Sequence, residues 1–252
     1  MSSNEEILKI VETAPLKSAN PYIIVGIPDT GLVGSIAFSH IAQAMGMLEI
    51  GHVESDILPP IMVIHNNEVK HPVKILASGD IVIIVTEVIL DINTFFLLSK
   101  TIVQWAKKHN AKFVIGLTGI AVPNRMEIEK PTVYAVGSTE EAKNRIKAAN
   151  ITPFEEGILV GGYALLIKNC LKEQQSNITL LAESHREFPD PDAAAASIEG
   201  LNTILRTNIP VQELLQKGEE IRVKAREFMR RTKEQMRSVQ KGQEQEMPGI
   251  YV

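Results

Sequence analysis

The chain has 252 residues, 44% of them hydrophobic and 22% charged, with a formal net charge of −4. That balance suits a globular protein and argues against nucleic acid as the main partner, which calls for a basic surface. A single cysteine, Cys170, rules out an internal disulfide and fits a reducing, cytoplasmic setting.

Residues 1–19 read as an N-terminal lead with one apolar stripe, Ile7, Leu8 and Val11, and no signal-peptide core. Tyr22-Ile23-Ile24-Val25 is a β-branched run bounded by Pro21 and Gly26, the pattern of a buried strand. It feeds GIPDTGLVGSIAFSHIAQAMGM, where Val33, Ala37, Ile41, Ala44 and Met45 recur at helical spacing. Segments 49–54, 61–65, 73–77 and 80–90 predict further strands, punctuated by Pro59-Pro60, Asn66-Asn67 and Gly79-Asp80. Their crowding suggests an antiparallel addition to a parallel sheet. The run IVIIVTEVILDI is interrupted by Glu87 and Asp91 and is too short to cross a bilayer, so no membrane partner is expected.

Asn93 to His109 predicts a helix capped by Asp91 or Asn93. Ala111 to Leu117 is again a strand, running into GLTGIAVPN. A strand near 132–136 precedes a helix over EEAKNRIKAAN, with Ser138 as its cap. GILVGGYALLIKNCLKEQ turns from glycines into an apolar helix, and Ile178 to Ala182 reads as a strand. In PDPDAAAASIEGLNTIL, Asp190 caps a helix, Pro191 fits its first position and Asp192 suits its positive end. Strands alternating with helices predict an α/β fold, an αβα layered domain on a largely parallel or mixed central sheet, plus a C-terminal helical extension. The organisation is a lead (1–19), a core domain (20–207), an amphipathic helix (208–241) and a flexible tail (242–252). Leu214, Gly218, Ile221, Ala225, Phe228, Thr232 and Val239 mark the apolar stripe of that helix.

Several stretches carry possible chemistry. GIPDTGLVG lies where a phosphate-binding turn would lie, but it lacks both the P-loop Lys-Ser/Thr and the G-x-G-x-x-G spacing. Gly26, Gly31 and Gly34 then read as architectural, as do the glycines of GLTGIA and GILVGG. Strand alternation in ESHREFPDPD would place Glu183, His185 and Glu187 on one face, a weak metal or acid–base pattern. Cys170 reads as a packed small hydrophobe and Trp105 as a core or interface anchor. His52, His65, His71 and His109 are scattered along the chain and mark no site. Basic residues between Arg222 and Arg237 alternate with Glu219, Glu220, Glu227 and Glu234, the pattern of a solvated helix face rather than a nucleic-acid contact. No catalytic residue, metal ligand or cofactor-binding residue is assigned, and the chain reads as a non-enzyme. A nucleotide-processing α/β enzyme built on GIPDTG and Glu183/His185 is the alternative.

The most specific feature is the ending, Ile250-Tyr251-Val252 behind Pro248-Gly249. Ten extended residues reach about 30 Å, so a mobile linker can present a compact apolar plug, a tyrosine with a polar tip and a carboxylate to a partner pocket.

Taken together, GIPDTGLVGSIA, SDILPP, GLTGIAVP, the GILVGGYALLI helix start and ESHREFPDPDAAAASIEGLN resemble the archaeal homologues of proteasome-assembly chaperone subunits. The order is the same over about residues 20–207. The ending matches the hydrophobic–tyrosine–any motif found in that family and in proteasome-activating ATPases. The resemblance implies a fold similar to nucleoside phosphorylases without their catalytic set. It also implies a homo-oligomer, tetramer or pentamer, with projecting C-terminal helices, and a role in assembling the 20S core particle or opening its gate. Ile250 would then be the plug, Tyr251 the gate-contacting side chain, and the Val252 carboxylate the partner of a lysine in the α-ring. Some relatives use such an ending on a sister chaperone instead, which remains an alternative partner.

Overall fold

The computed structural model describes residues 8–65, 67–227, 230 and 234. In chain order the strands are β1 (Lys9–Glu12), β2 (Tyr22–Gly26), β3 (Leu48–Glu54), β4 (Val63–His65), β5 (Glu68–Lys70), β6 (Val73–Ser78), β7 (Ile81–Thr86), β8 (Phe113–Ala121), β9 (Val133–Gly137), β10 (Thr152–Pro153) and β11 (Asn177–Ser184). The helices are α1 (Val33–Ala44), α2 (Ile92–Lys108), α3 (Glu140–Ala148), α4 (Gly162–Glu173), α5 (Pro191–Leu205) and α6 (Gln212–Gln216). Residues 218–227 are helical again.

Nine strands form one sheet in the order β1-β3-β6-β7-β2-β8-β11-β9-β10. The centre, β7-β2-β8-β11, is parallel. It is built from runs such as YIIV and IVII, β-branched on both faces, as strands buried on both sides must be. The crowded region between residues 48 and 78 adds β3 and β6 as the expected antiparallel flank, and β1 extends it at the edge. Alternation sorts the side chains: Ile24 and Ile83 face α1 and α5, whereas Ile23, Val25, Val82 and Ile84 face α2 and α4. The result is the expected αβα sandwich. Among the described residues no helix is long and apolar enough to cross a membrane.

Caps explain where the helices begin. The Asp91 carboxylate accepts from the amides of Asn93 and Thr94, 2.9 and 3.1 Å away, starting α2. Asp190 accepts from the Ala193 amide at 3.1 Å, starting α5 with Pro191 in its first turn. At α3 the expected Ser138 cap is corrected to Thr139, whose hydroxyl accepts from the Ala142 amide at 3.2 Å. Ser138 instead accepts from the Asn177 amide of β11 at 2.9 Å, because it still lies at the end of the sheet. The predicted strand over 61–65 forms only Val63–His65. It pairs with β5 in a separate two-stranded ribbon, where the Pro59-Pro60 pair cannot supply ladder donors. The N-terminal lead contains β1, which sequence reading missed.

Candidate functional site

Open α/β sheets bind ligands at the carboxyl ends of their parallel strands, and that is where GIPDTG lies. The chain leaves β2, passes Asp29 and turns through Gly31 (φ 65°) and Leu32 (φ 51°) into α1. A Cβ at Gly31 would sit 1.8 Å from Ser184 Oγ, and one at Gly34 would lie 2.7 Å from the Leu117 carbonyl oxygen. These glycines let the turn press against β8 and β11, an architectural use.

Asp29 places a carboxyl group in this turn. The residue is half-buried, and Oδ1 has no solvent contact and no hydrogen bond of good geometry, although the Gly34 and Gly119 amides lie near the carboxyl. The Thr118 hydroxyl donates to Oδ2. Burial dominates and pushes the Asp29 carboxyl up to about 8, against the opposing pull of Thr118 and the Gly119 and Gly34 amides. Above it, the buried Tyr163 hydroxyl donates to the Val25 carbonyl at 3.2 Å. Burial, then the nearby Asp29 charge, raises the Tyr163 phenol well above its ordinary range. Asp29 and Tyr163 thus form a desolvated pair in which burial favours the neutral form of each.

The ESHREFPDPD cluster is also largely spent on structure. Glu183 accepts from the Thr132 amide at 2.9 Å. His185 donates its backbone amide to Asp190 at 3.1 Å, and its ring meets Phe188 edge-on. Asp190 is held by a two-pronged bond from Arg125, 2.8 and 2.9 Å, with side chains 0% and 6% exposed. Among the described residues, Glu183, His185 and Glu187 do not converge as metal ligands would. Cys170 is buried, and burial pushes its thiol up to about 12, as inert packing demands.

The C-terminal helix starts against this same corner. Leu214 is buried, and Ile221 and Ala225 pack on the α1/α5 side of the core. The Arg222 guanidinium donates to the Pro189 carbonyl at 3.3 Å and lies 3.8 Å from the Asp192 carboxylate. Arg226 sits 5.3 Å over the Phe188 ring. Beneath the helix is a groove of about 530 Å³, with Leu76, Val85 and Ile36 on its walls and His40, Glu87 and Lys224 among its polar groups. The residues expected to dock, Ile250, Tyr251 and Val252, lie outside the described residues.

Large apolar side chains stand exposed in loops at this end of the sheet. Met126 follows β8, Ile158 and Val160 precede α4, and Phe188 precedes α5, with Ile158 90% exposed.

One grouping went unseen in the sequence. His52 and Glu54 on β3 meet His71, which precedes β6; the sequence alone left the two histidines unconnected.

Comparisons with known proteins bear on this geometry. The model of the PAC2 family matches residues 23–229. An uncharacterized protein of Methanocaldococcus jannaschii is 31% identical over 222 residues, covering 88% of this chain and 90% of that one. The crystal structure of Pyrococcus furiosus PbaA, an archaeal homolog of proteasome-assembly chaperone, superposes with a TM-score of 0.82 at 28% identity. The match covers 91% of this chain and 99% of PbaA. P. furiosus PbaB, an archaeal proteasome activator, shares the fold with a TM-score of 0.72 at 21% identity, over 88% of this chain and 98% of its own.

Proposed function

The chain belongs to the PAC2 family, and on that premise we propose that it is a non-enzymatic, homo-oligomeric proteasome-assembly chaperone homologue. Its C-terminal tails dock on the α-ring of the 20S core particle, to assist assembly or to open the gate. The single observation that carries the reading is the likeness to PbaA across nearly the whole of both chains. The Ile250-Tyr251-Val252 ending supports it from the sequence, and the GIPDTG turn lacks both the P-loop Lys-Ser/Thr and the G-x-G-x-x-G spacing that a nucleotide-processing enzyme would use.

Multivalency is the mechanism. One tail of a few residues buries little surface and binds weakly. Several tails on one ring raise apparent affinity by about 10²–10⁴, provided the linkers span the pockets. Arg222, Ile221 and Ala225 seat residues 218–227, which precede the tail in sequence, on the body of the protein.

The test compares the oligomer with an engineered monomer carrying the intact ending, both titrated against archaeal core particle. The proposal expects the monomer to bind about 10²–10⁴-fold more weakly, the scale of the lost avidity. Equal binding by monomer and oligomer contradicts it. If neither binds the core particle but a sister chaperone captures both, the tail belongs to that partner.

A further inference from the structure

His52 and Glu54 alternate on β3, so both side chains stand on one face of the sheet. The antiparallel β3–β6 ladder, with His52 opposite Lys74, brings the start of β6 alongside. His71, just ahead of β6, therefore lands beside them. Its ring lies parallel to that of His52, with centroids 3.7 Å apart and planes 5° apart. A His52 ring nitrogen is 3.0 Å from a Glu54 carboxylate oxygen. One ligand atom from each of the three residues lies within 4.8 Å of the others. His52 is nearly buried while Glu54 is exposed, so the cluster is fixed at its base and open at its mouth.

We propose that His52, Glu54 and His71 form a binding site for a divalent first-row transition ion of the Zn²⁺ class. Two imidazoles and one carboxylate match such an ion, whereas Mg²⁺ and Ca²⁺ demand all-oxygen shells. Three protein ligands leave a fourth position for water. Ligand bonds of about 2.0–2.1 Å set tetrahedral edges of about 3.3 Å, and the His52–Glu54 separation of 3.0 Å is close to that. Closing the third edge requires the His71 ring to leave its stack and turn inward. The torsion involved is soft, and His71 lies in the turn between β5 and β6 rather than in a ladder.

Neighbouring charges set the site's limits. Lys9 of β1 pairs opposite Glu54 and opposes a cation there. Lys74 is neutralised by Glu87, which also accepts from His65 at 2.6 Å, so it adds little net repulsion. A bound ion would join β3 to the foot of the β4–β5 ribbon, whose last strand ends at Lys70. It would act as a structural clip at the antiparallel flank. The inference is independent of proteasome docking.

The experiment uses full-length protein stripped of metal and titrated with Zn²⁺ by calorimetry and with Co²⁺ by visible absorption. The expected result is one ion per chain and intense d–d bands of low-coordinate Co²⁺. His71→Ala and Glu54→Gln should weaken binding about 10–100-fold or more, the scale seen when a metal site loses supporting groups. His185→Ala, at a histidine outside the cluster, should leave it unchanged. Circular dichroism of the metal-free variants should match that of the parent, which separates loss of the site from loss of the fold. Equal Zn²⁺ binding by parent and both variants overturns the proposal. So does loss of binding in His185→Ala, or no binding by the parent.

Discussion

At the scale of single residues, the molecule concentrates its polar risk in two places. Asp29 is an acid whose charge the fold penalises. Its folded value of about 8 lies above the ordinary aspartate value of 3.8, so between those values the native state holds a proton that the unfolded chain releases. The stability this contributes is complete below about pH 4 and is lost as pH rises towards 8, at up to about 1.4 kcal/mol per pH unit. We predict that Asp29→Asn, which removes the titration, becomes progressively more stable relative to the parent between pH 5 and pH 8. Denaturant melts across that range check it, and a difference that does not change with pH would contradict the assignment. The second place is the Arg125–Asp190 pair, fully desolvated at the start of α5. Arg125→Ala strands the Asp190 carboxylate and should cost about 3–5 kcal/mol, read as a fall in melting temperature. Little of this was legible in sequence. Asp190 was visible as a cap, but its partner lies 65 residues away, and no local pattern announces a contact that only β8 and β11 bring about. His52 and His71 looked scattered for the same reason.

At the scale of elements, local rules carried further. Tyr22–Gly26 was readable because a β-branched run between proline and glycine has few other uses. The α2 and α5 starts were readable because aspartate caps leave a positional signature. β1 was not, since four residues with one solvent-facing side cannot be told from a polar lead until β3 supplies the ladder. Trp105 is clearer in hindsight: its indole donates to Glu12 of β1 at 2.9 Å, fastening the missed strand to α2. The helix of residues 218–227 carries its own prediction. Ile221→Asp removes the apolar seat while leaving the sheet intact. It should shift the melting temperature little but lower affinity for the core particle by about tenfold, because a loose base dilutes the tethered tail. Unchanged affinity would show that the seat of the helix has no part in docking.

At the scale of the whole molecule, the fold was legible as a class, and function only through the resemblance of ordered motifs. Ile158 and Val160, two residues apart ahead of α4, are 90% and 78% exposed, and on the homo-oligomer proposal they are the side chains to test for its contact. We predict that Ile158→Asp combined with Val160→Asp yields a smaller species in sedimentation, with the secondary structure retained. Persistence of the parental mass would place the oligomer contact elsewhere. Avidity and oligomer are linked, so the same variant should bind core particle as weakly as any monomer.

The most direct test of the central claim is a titration of archaeal 20S core particle with the full-length protein and with a form lacking residues 250–252, followed by peptide hydrolysis and by sedimentation. The account predicts that truncation abolishes binding while leaving oligomer mass unchanged, and faster hydrolysis with the intact chain would assign gate opening as well. Binding that survives the truncation would contradict docking through Ile250, Tyr251 and Val252.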